Sequence, residues 1–164
     1  MTKAPDGTGT GWGSHQPALK ALAAFTPITT VIEFGSGPFS THLFLDREAF
    51  PDLRSLVSFE HDMTWVEKTW VADHRHALII SQPETFAARS RDMEADFVFL
   101  GCAPQSIRVA LRTHAMTLAP IVGMHDAEEG DLNDLGYKHV KGFERPVLTV
   151  FGSNTIDLSK LEIE

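Results

Sequence analysis

The sequence has almost no cysteine and no long apolar run, and each shortage excludes a class of protein. Cys102 is the only cysteine in 164 residues, so the chain has neither an internal disulfide framework nor a zinc site built from cysteines. No window approaches the ~18 consecutive apolar residues that span a membrane. The N-terminal segment lacks the apolar core of a secretory signal. We therefore expect a cytoplasmic protein, or one from another reducing compartment.

Positive charge is also scarce. The chain carries 14 Lys and Arg against 22 Asp and Glu, a formal net charge of -8, and no basic block stands out. A nucleic-acid backbone would be repelled on average, which favours a small-molecule partner over nucleic acid or membrane. The length indicates one domain over 1–164, with a flexible Gly/Thr-rich segment at 1–13 and a loose polar tail at 154–164.

Apolar runs that suit strands alternate with amphipathic segments that suit helices. The predicted strands cover 29–34, 55–61, 76–81, 95–101, 120–126, 137–143 and 146–153; the predicted helices cover 17–25, 38–50, 63–74, 84–93, 104–118 and 128–135. Uniformly apolar strands that alternate with helices indicate a parallel sheet covered on both faces. The predicted fold is α/β, a Rossmann-like three-layer sandwich around a seven-stranded, mostly parallel sheet with a C-terminal antiparallel hairpin.

Two details of the helices are also predicted from local signals. Ser14 and Asp62 stand where helix caps belong, one before the first helix and one before the helix over 63–74. In the latter helix, Met63, Val66 and Trp70 have the spacing of a shared buried face. The first helix, expected to be exposed, is a possible homodimer contact, which the sequence does not decide.

A glycine turn ends the first strand, in the stretch "VIEFGSGPFSTH" at 31–42. Gly35 and Gly37 allow a sharp turn and a close approach of a ligand to the backbone. The helix that follows directs free N–H groups toward the crevice outside the carboxyl ends of the strands. The turn therefore predicts a ligand site.

Two acids narrow the choice of ligand. Glu60 ends the second strand, where a carboxylate can accept hydrogen bonds from ribose hydroxyls. Glu33, close to the turn, would repel the pyrophosphate of a dinucleotide but attract the amine and sulfonium of S-adenosylmethionine. Ser40 stands where the dinucleotide fingerprint has its last glycine. S-adenosylmethionine is favoured as cofactor, and an NAD-dependent oxidoreductase is the less favoured alternative.

These stretches resemble the class I S-adenosylmethionine-dependent methyltransferases. "VIEFGSGPFST" is similar to their first motif, "LVSFEHDMTWVEK" to the second, and "DFVFLGCAP" and "LAPIVGMHDAE" to the motifs of the fourth and fifth strands. "GWGSHQPALKAL" resembles the leading helix of a subgroup with the pattern E-x-G-S-G-x-x-S-T. The resemblance implies a small Rossmann-like methyltransferase that acts on a small-molecule acceptor.

The resemblance also implies roles for individual residues. The methionine part of the cofactor would lie among Glu33, Gly35, Ser36 and Gly37, with Ser40 and Thr41 near its carboxylate. Glu60 would bind the ribose, His61 and Trp65 would border the adenine, and Ser81 and Gln82 would contact the adenine ring.

Candidates for catalysis stand at the ends of the fourth and fifth strands. His125 is predicted as a general base, and Asp126 as the residue that orients it or binds a substrate. Gly101 occupies the place where metal-dependent relatives carry an aspartate, so no metal site is expected. The missing acid also leaves open a cofactor-binding protein without turnover. Cys102 stands beside it as a candidate neighbour of the substrate or nucleophile.

The last candidates lie before the first helix. Trp12 and His15, in the glycine-flanked stretch "GWGSHQP", are predicted to form a lid over the bound cofactor or to contact the substrate.

Overall fold

A computed structural model of the chain describes residues 13–102, 104–127, 132, 135–143 and 149–163. The helices are α1 (Gln16–Phe25), α2 (Thr41–Leu45), α3 (Met63–Thr69), α4 (Phe86–Ser90) and α5 (Gln105–Leu118). The strands are β1 (Thr30–Phe34), β2 (Ser55–Glu60), β3 (His76–Ile80), β4 (Phe97–Leu100), β5 (Ile121–His125), β6 (His139–Phe143) and β7 (Thr149–Ser153). The predicted acidic helix over 128–135 and the predicted turn before the last strand fall largely outside the described residues.

The described strands form one sheet in the order β3-β2-β1-β4-β5-β7-β6. Neighbours from β3 to β5 run parallel, and β7 pairs antiparallel with both β5 and β6. The predicted mostly parallel, seven-stranded sheet with an antiparallel terminal pair is therefore confirmed. Strand order reverses at β1, which pairs with β2 on one side and β4 on the other, and this reversal opens a crevice beyond the carboxyl ends of the strands.

Strand β4 shows why the sheet is covered on both faces. All four of its residues are buried, and successive side chains point to opposite faces. Phe97 and Phe99 pack with α1 and α2 in one core cluster, whereas Val98 and Leu100 pack with α5 in a second. The result is the predicted three-layer arrangement.

Helix α3 departs from its prediction. It ends at Thr69, so Trp70 lies beyond it with an extended ψ of 134°. Met63 and Trp70 are each 49% exposed, while Val66 is buried. The predicted shared buried face is therefore wrong, because Trp70 stacks on His76 at 5.1 Å between ring centroids instead of continuing the helix.

The segment over 38–50 also forms less helix than predicted, since only Thr41–Leu45 is helical. Asp46 ends it with extended backbone, and its carboxylate accepts a hydrogen bond from the Glu48 N–H at 2.9 Å. An aspartate that binds backbone two residues on favours a turn over a helix.

The end of the chain is packed, contrary to the predicted loose tail over 154–164. Leu158 and Leu161 are buried in the same core cluster as Phe151. Asp157 caps the short 3₁₀ turn Leu158–Lys160 by accepting a hydrogen bond from the Ser159 N–H. Residues three apart on such a turn share a side, which brings both leucines onto the sheet. Among the described residues, no helix has the length and apolar character to cross a membrane.

Candidate functional site

A cavity of about 800 Å³ lies at the carboxyl ends of β1, β2, β4 and β5. This is the crevice where the strand order reverses, and the volume lies within the range of small-molecule sites. Predicted site residues that line it are His15, Gly35, Ser36, Gly37, Ser40, Glu60, His61, Trp65, Cys102, His125 and Asp126. Thr41 is buried behind this lining, and Ser81 and Gln82 follow β3 without lining the cavity. The structure therefore does not bring the two predicted adenine contacts after β3 to the site.

The glycine turn needs its first glycine for two reasons. Gly35 has a φ of +92°, a conformation that side chains with a Cβ rarely adopt. A Cβ there would also lie 2.4 Å from the Cα of Cys102. The Gly35 N–H donates a 2.8 Å hydrogen bond to the Phe59 carbonyl. The turn therefore contacts the end of β2 through this bond and the loop after β4 through Cys102.

Glu60 holds the other side of the turn. Its carboxylate is almost fully buried and accepts hydrogen bonds from the backbone N–H groups of Ser36 at 3.0 Å, His61 at 2.7 Å and Asp62 at 3.0 Å. These donors fix the carboxylate at the end of β2 on the wall of the cavity, where the sequence predicts a ribose contact.

Trp65 closes this end of the cavity. Asp62 caps α3 as predicted, accepting from the Thr64 and Trp65 N–H groups at 2.9 and 3.2 Å. The cap starts α3 so that the Trp65 indole N–H donates to the Ser36 carbonyl at 2.6 Å. A flat aromatic ring thereby stands beside the turn, on the same cavity lining as His61.

Glu33 does not stand in the cavity, which corrects its predicted place around the cofactor. Its side chain is fully buried beneath the turn and accepts hydrogen bonds from the hydroxyls of Ser40, of Thr41 at 2.7 Å and of Ser58 at 2.7 Å. Burial raises the pKa of Glu33 to about 7, although the three hydroxyls oppose the shift. With this pKa, Glu33 is partly protonated at neutral pH, and it lies behind the wall of the cavity. It is therefore a weak source of repulsion for a diphosphate.

Glu33 instead positions the turn. The Thr41 hydroxyl that donates to Glu33 also accepts the Gly37 N–H at 2.8 Å. The carboxyl thus orients Thr41, and Thr41 fixes the second glycine of the turn.

The predicted base lies at the opposite end of the cavity. His125 Nε2 is 3.0 Å from Ser14 Oγ and 3.5 Å from a carboxylate oxygen of Asp126. Ser14 therefore contacts β5 instead of capping α1 as predicted, and α1 has no side-chain cap. Burial lowers the pKa of His125 despite Asp126, so its imidazole is neutral at pH 7.

His15 packs directly on the predicted base. Its ring centroid lies 4.4 Å from that of His125 and 5.2 Å from that of Phe99. Burial, with a smaller contribution from His125, lowers the pKa of His15 to about 3, which the Phe39 backbone only partly opposes. Neither ring nitrogen makes a hydrogen bond of standard geometry within the described part of the chain. Trp12, the other lid candidate, lies outside the described residues.

Sequence reasoning missed Arg108, which is buried and lines the cavity. Its Nη1 donates to the Cys102 carbonyl at 2.9 Å, and its Nη2 lies 3.7 Å from Asp126. The sequence did hold a signal, because Arg108 falls on the buried stripe of α5 formed by Leu111 and Ala115. An arginine within an apolar stripe indicates a charge with a specific use.

Cys102 and Gly101 form the wall between the two ends. Burial raises the pKa of the Cys102 thiol to about 12, so the predicted alternative of a thiolate nucleophile is not supported by its surroundings. A Cβ at Gly101 would lie 3.0 Å from the Phe99 ring. No group of three or more His, Cys, Asp or Glu side chains within the described ranges could hold a metal ion.

Comparison with known proteins gives matches in structure only. No family model matches the chain, and no curated protein matches its sequence. Spermidine synthase from Thermotoga maritima superposes with a TM-score of 0.60 at 13% identity, covering 92% of this chain and 60% of that one. A Staphylococcus aureus protein provisionally assigned as a caffeoyl-CoA O-methyltransferase gives 0.64 at 12% identity, covering 84% and 81%.

The O-methyltransferase TomG from Streptomyces achromogenes, solved in complex with S-adenosylmethionine, gives a TM-score of 0.58 at 16% identity and covers 85% of this chain and 79% of that one. The chain spans about three fifths of the length of the spermidine synthase, so that protein's activity as a whole is not transferred. At 12–16% sequence identity, these superpositions establish the fold alone. The chain has the Rossmann-like fold of the class I methyltransferases.

Proposed function

We propose that the protein binds S-adenosylmethionine and transfers its methyl group to a small-molecule acceptor. The observation that carries the proposal is the buried Glu60 carboxylate, which joins the glycine turn to the end of β2 on the wall of a cavity that His125 lines on its far side. The same fold holds S-adenosylmethionine in TomG. The proposal keeps the predicted cytoplasmic location, and a homodimer stays a prediction.

The wall residues suit each part of this cofactor. Glu60 would accept hydrogen bonds from the ribose hydroxyls, and Trp65 with His61 would border the adenine. The backbone of the glycine turn can approach the methionine part closely because Gly35 and Gly37 carry no side chain. When bound, the cofactor supplies an electrophilic methyl group that leaves sulfur as a bond forms to the acceptor.

At the far side, His125 would take the proton of the acceptor. Its imidazole is neutral at pH 7 and lies within reach of both Ser14 and Asp126. Asp126 would stabilise the imidazolium that forms. His15, which is also neutral, would exclude water from the same region because it fills the space between His125 and Phe99.

Cofactor binding without turnover is the second candidate. Two observations favour it: Gly101 offers no carboxylate at the end of β4, and burial lowers the pKa of His125, which makes it a weaker base. A burst assay separates the candidates. Protein loaded with S-adenosylmethionine is mixed with hydroxy and amino acceptors, and formation of S-adenosylhomocysteine supports transfer, whereas its absence with every acceptor supports binding alone.

Binding itself is tested by replacing Glu60. We expect Glu60→Gln to weaken the affinity for S-adenosylhomocysteine by about tenfold or more, because an amide cannot accept two charge-assisted hydrogen bonds from ribose. Isothermal titration measures both affinities. Glu48→Gln is the matched control, since Glu48 lies on the surface away from the cavity and the change should leave the affinity within about twofold.

The titration also decides between cofactor classes. Because Glu33 lies behind the cavity wall, its charge does not exclude a dinucleotide from the cavity. NADH is therefore titrated in parallel. The proposal fails if S-adenosylhomocysteine gives no heat at millimolar concentration while NADH binds, or if Glu60→Gln binds as tightly as the wild type with an unchanged melting temperature.

A further inference from the structure

Arg108 carries a charge that its surroundings satisfy only in part. The side chain is 7% exposed, and a guanidinium keeps its charge at any physiological pH. One of its donors binds the Cys102 carbonyl, but its Nε has no hydrogen-bond partner among the described residues. A buried cation with unused donors is costly unless an anion completes it.

Asp126 compensates this charge only in part. Its nearest carboxylate oxygen is 3.7 Å from Nη2, beyond hydrogen-bond distance, and its side chain is 45% exposed. The φ of Asp126 is 53°, an unusual value for a residue with a side chain. The Asp126 carboxylate is shared between solvent and His125, whose Nε2 lies 3.5 Å away, so it does not bind the Arg108 guanidinium through two parallel hydrogen bonds.

The position of Arg108 separates this site from the nucleoside end. Glu60 ends β2 and His125 ends β5, and the sheet order puts β1 and β4 between them. Three strand spacings of about 4.8 Å put these ends roughly 14 Å apart. Among the residues that line the cavity within the described chain, Arg108 is the only Arg or Lys, and it lies at the β5 end. Glu60 and Asp62, both acidic, lie at the other.

We propose that the methyl acceptor carries a carboxylate, which Arg108 binds so that the acceptor's nucleophilic atom faces His125. A planar guanidinium matches a carboxylate with two parallel hydrogen bonds. Arg108 supplies such a guanidinium on the cavity lining. The substrate class is therefore a small hydroxy or amino acid. This inference rests on the proposed function, since it assigns the acceptor of the same site.

The test is a titration of protein already saturated with S-adenosylhomocysteine. The probes are salicylate, anthranilate and lactate, each beside its uncharged amide. We expect at least one acid to bind about tenfold more tightly than its amide, with the preference lost in Arg108→Gln and partly kept in Arg108→Lys, which retains the charge but not the fork. The affinity of both variants for S-adenosylhomocysteine should stay within about threefold of the wild type.

Each other outcome overturns the inference in a distinct way. No preference for any acid over its amide in the wild type removes the carboxylate site. A loss of tenfold or more in the affinity of folded Arg108→Gln for S-adenosylhomocysteine would assign Arg108 to the cofactor's own carboxylate. Failure of the wild type to bind S-adenosylhomocysteine at all would instead refute the proposed function. If Arg108→Gln does not fold, as judged by circular dichroism, Arg108→Lys supplies the comparison.

Discussion

Replacing Gly35 by alanine is expected to destabilise the protein by about 2–6 kcal/mol and to abolish ligand binding. The strained backbone of a non-glycine residue costs about 1–3 kcal/mol, and overpacking adds a similar amount. Both apply here, because φ is +92° and the new Cβ would lie 2.4–2.5 Å from the Cys102 backbone. Neither Gly35, fixed to Phe59, nor Cys102, fixed to Arg108, can move freely. Urea denaturation followed by circular dichroism measures the loss.

Gly37→Ala is the matched control for this prediction. A Cβ at Gly37 would meet the Trp65 ring at 3.6 Å, an ordinary contact, and the N–H that binds Thr41 is retained. A loss below about 1 kcal/mol is expected for it. A Gly35→Ala variant as stable as Gly37→Ala would show that the turn does not have the described conformation.

Between pH 7.5 and pH 4, the free energy of unfolding of His15→Phe is expected to fall by about 3 kcal/mol less than that of the wild type. The pKa of His15 is lowered to about 3 in the folded state, so below the unfolded value of about 6.5 only the unfolded chain binds the proton. Stability from this group is complete above pH 6.5 and is lost as pH falls toward 3. Phenylalanine keeps the ring contact with Phe99 and removes the titration.

The readout is the difference in unfolding free energy between variant and wild type at each pH. Glu33 acts with the opposite sign, because its pKa is raised to about 7 and its contribution declines as pH rises from its unfolded value to 7. Both proteins contain Glu33, so its effect cancels in the difference. His74→Phe is the control, since that ring is 81% exposed and its difference should stay within about 0.5 kcal/mol. Parallel curves for wild type and His15→Phe would contradict the buried position of His15.

Most of the fold could be predicted because it depends on local pattern. The apolar run of β4 and the periodicity of α5 each specify their own element, and alternation of such elements specifies a parallel sheet. The predictions fail where contacts with residues distant in the sequence determine the structure of a segment that mixes polar and apolar residues. Trp70 has helical spacing from Val66, yet it stacks on His76. Leu161 sits in a polar stretch, yet it packs in the core.

The site shows the same division. The carboxyl ends of parallel strands meet at one edge of a sheet, so residues such as Glu60 and His125 could be placed from the strands alone. The position of Glu33 just before the turn predicts a place in the cavity, but the pleat of β1 and the register opposite Ser58 direct its side chain beneath the turn. Arg108 was hidden by an otherwise regular helix, and only the packing of α5 against β5 brings it beside Asp126.

The hydrogen bond between the Trp65 indole and the Ser36 carbonyl has a practical consequence. An indole that is anchored to the turn and lines the cavity carries an intrinsic fluorophore at the place where a nucleoside would stack. Quenching or a spectral shift of its emission then reports occupancy of that end without any attached dye. Rapid mixing could follow the arrival of each compound in time.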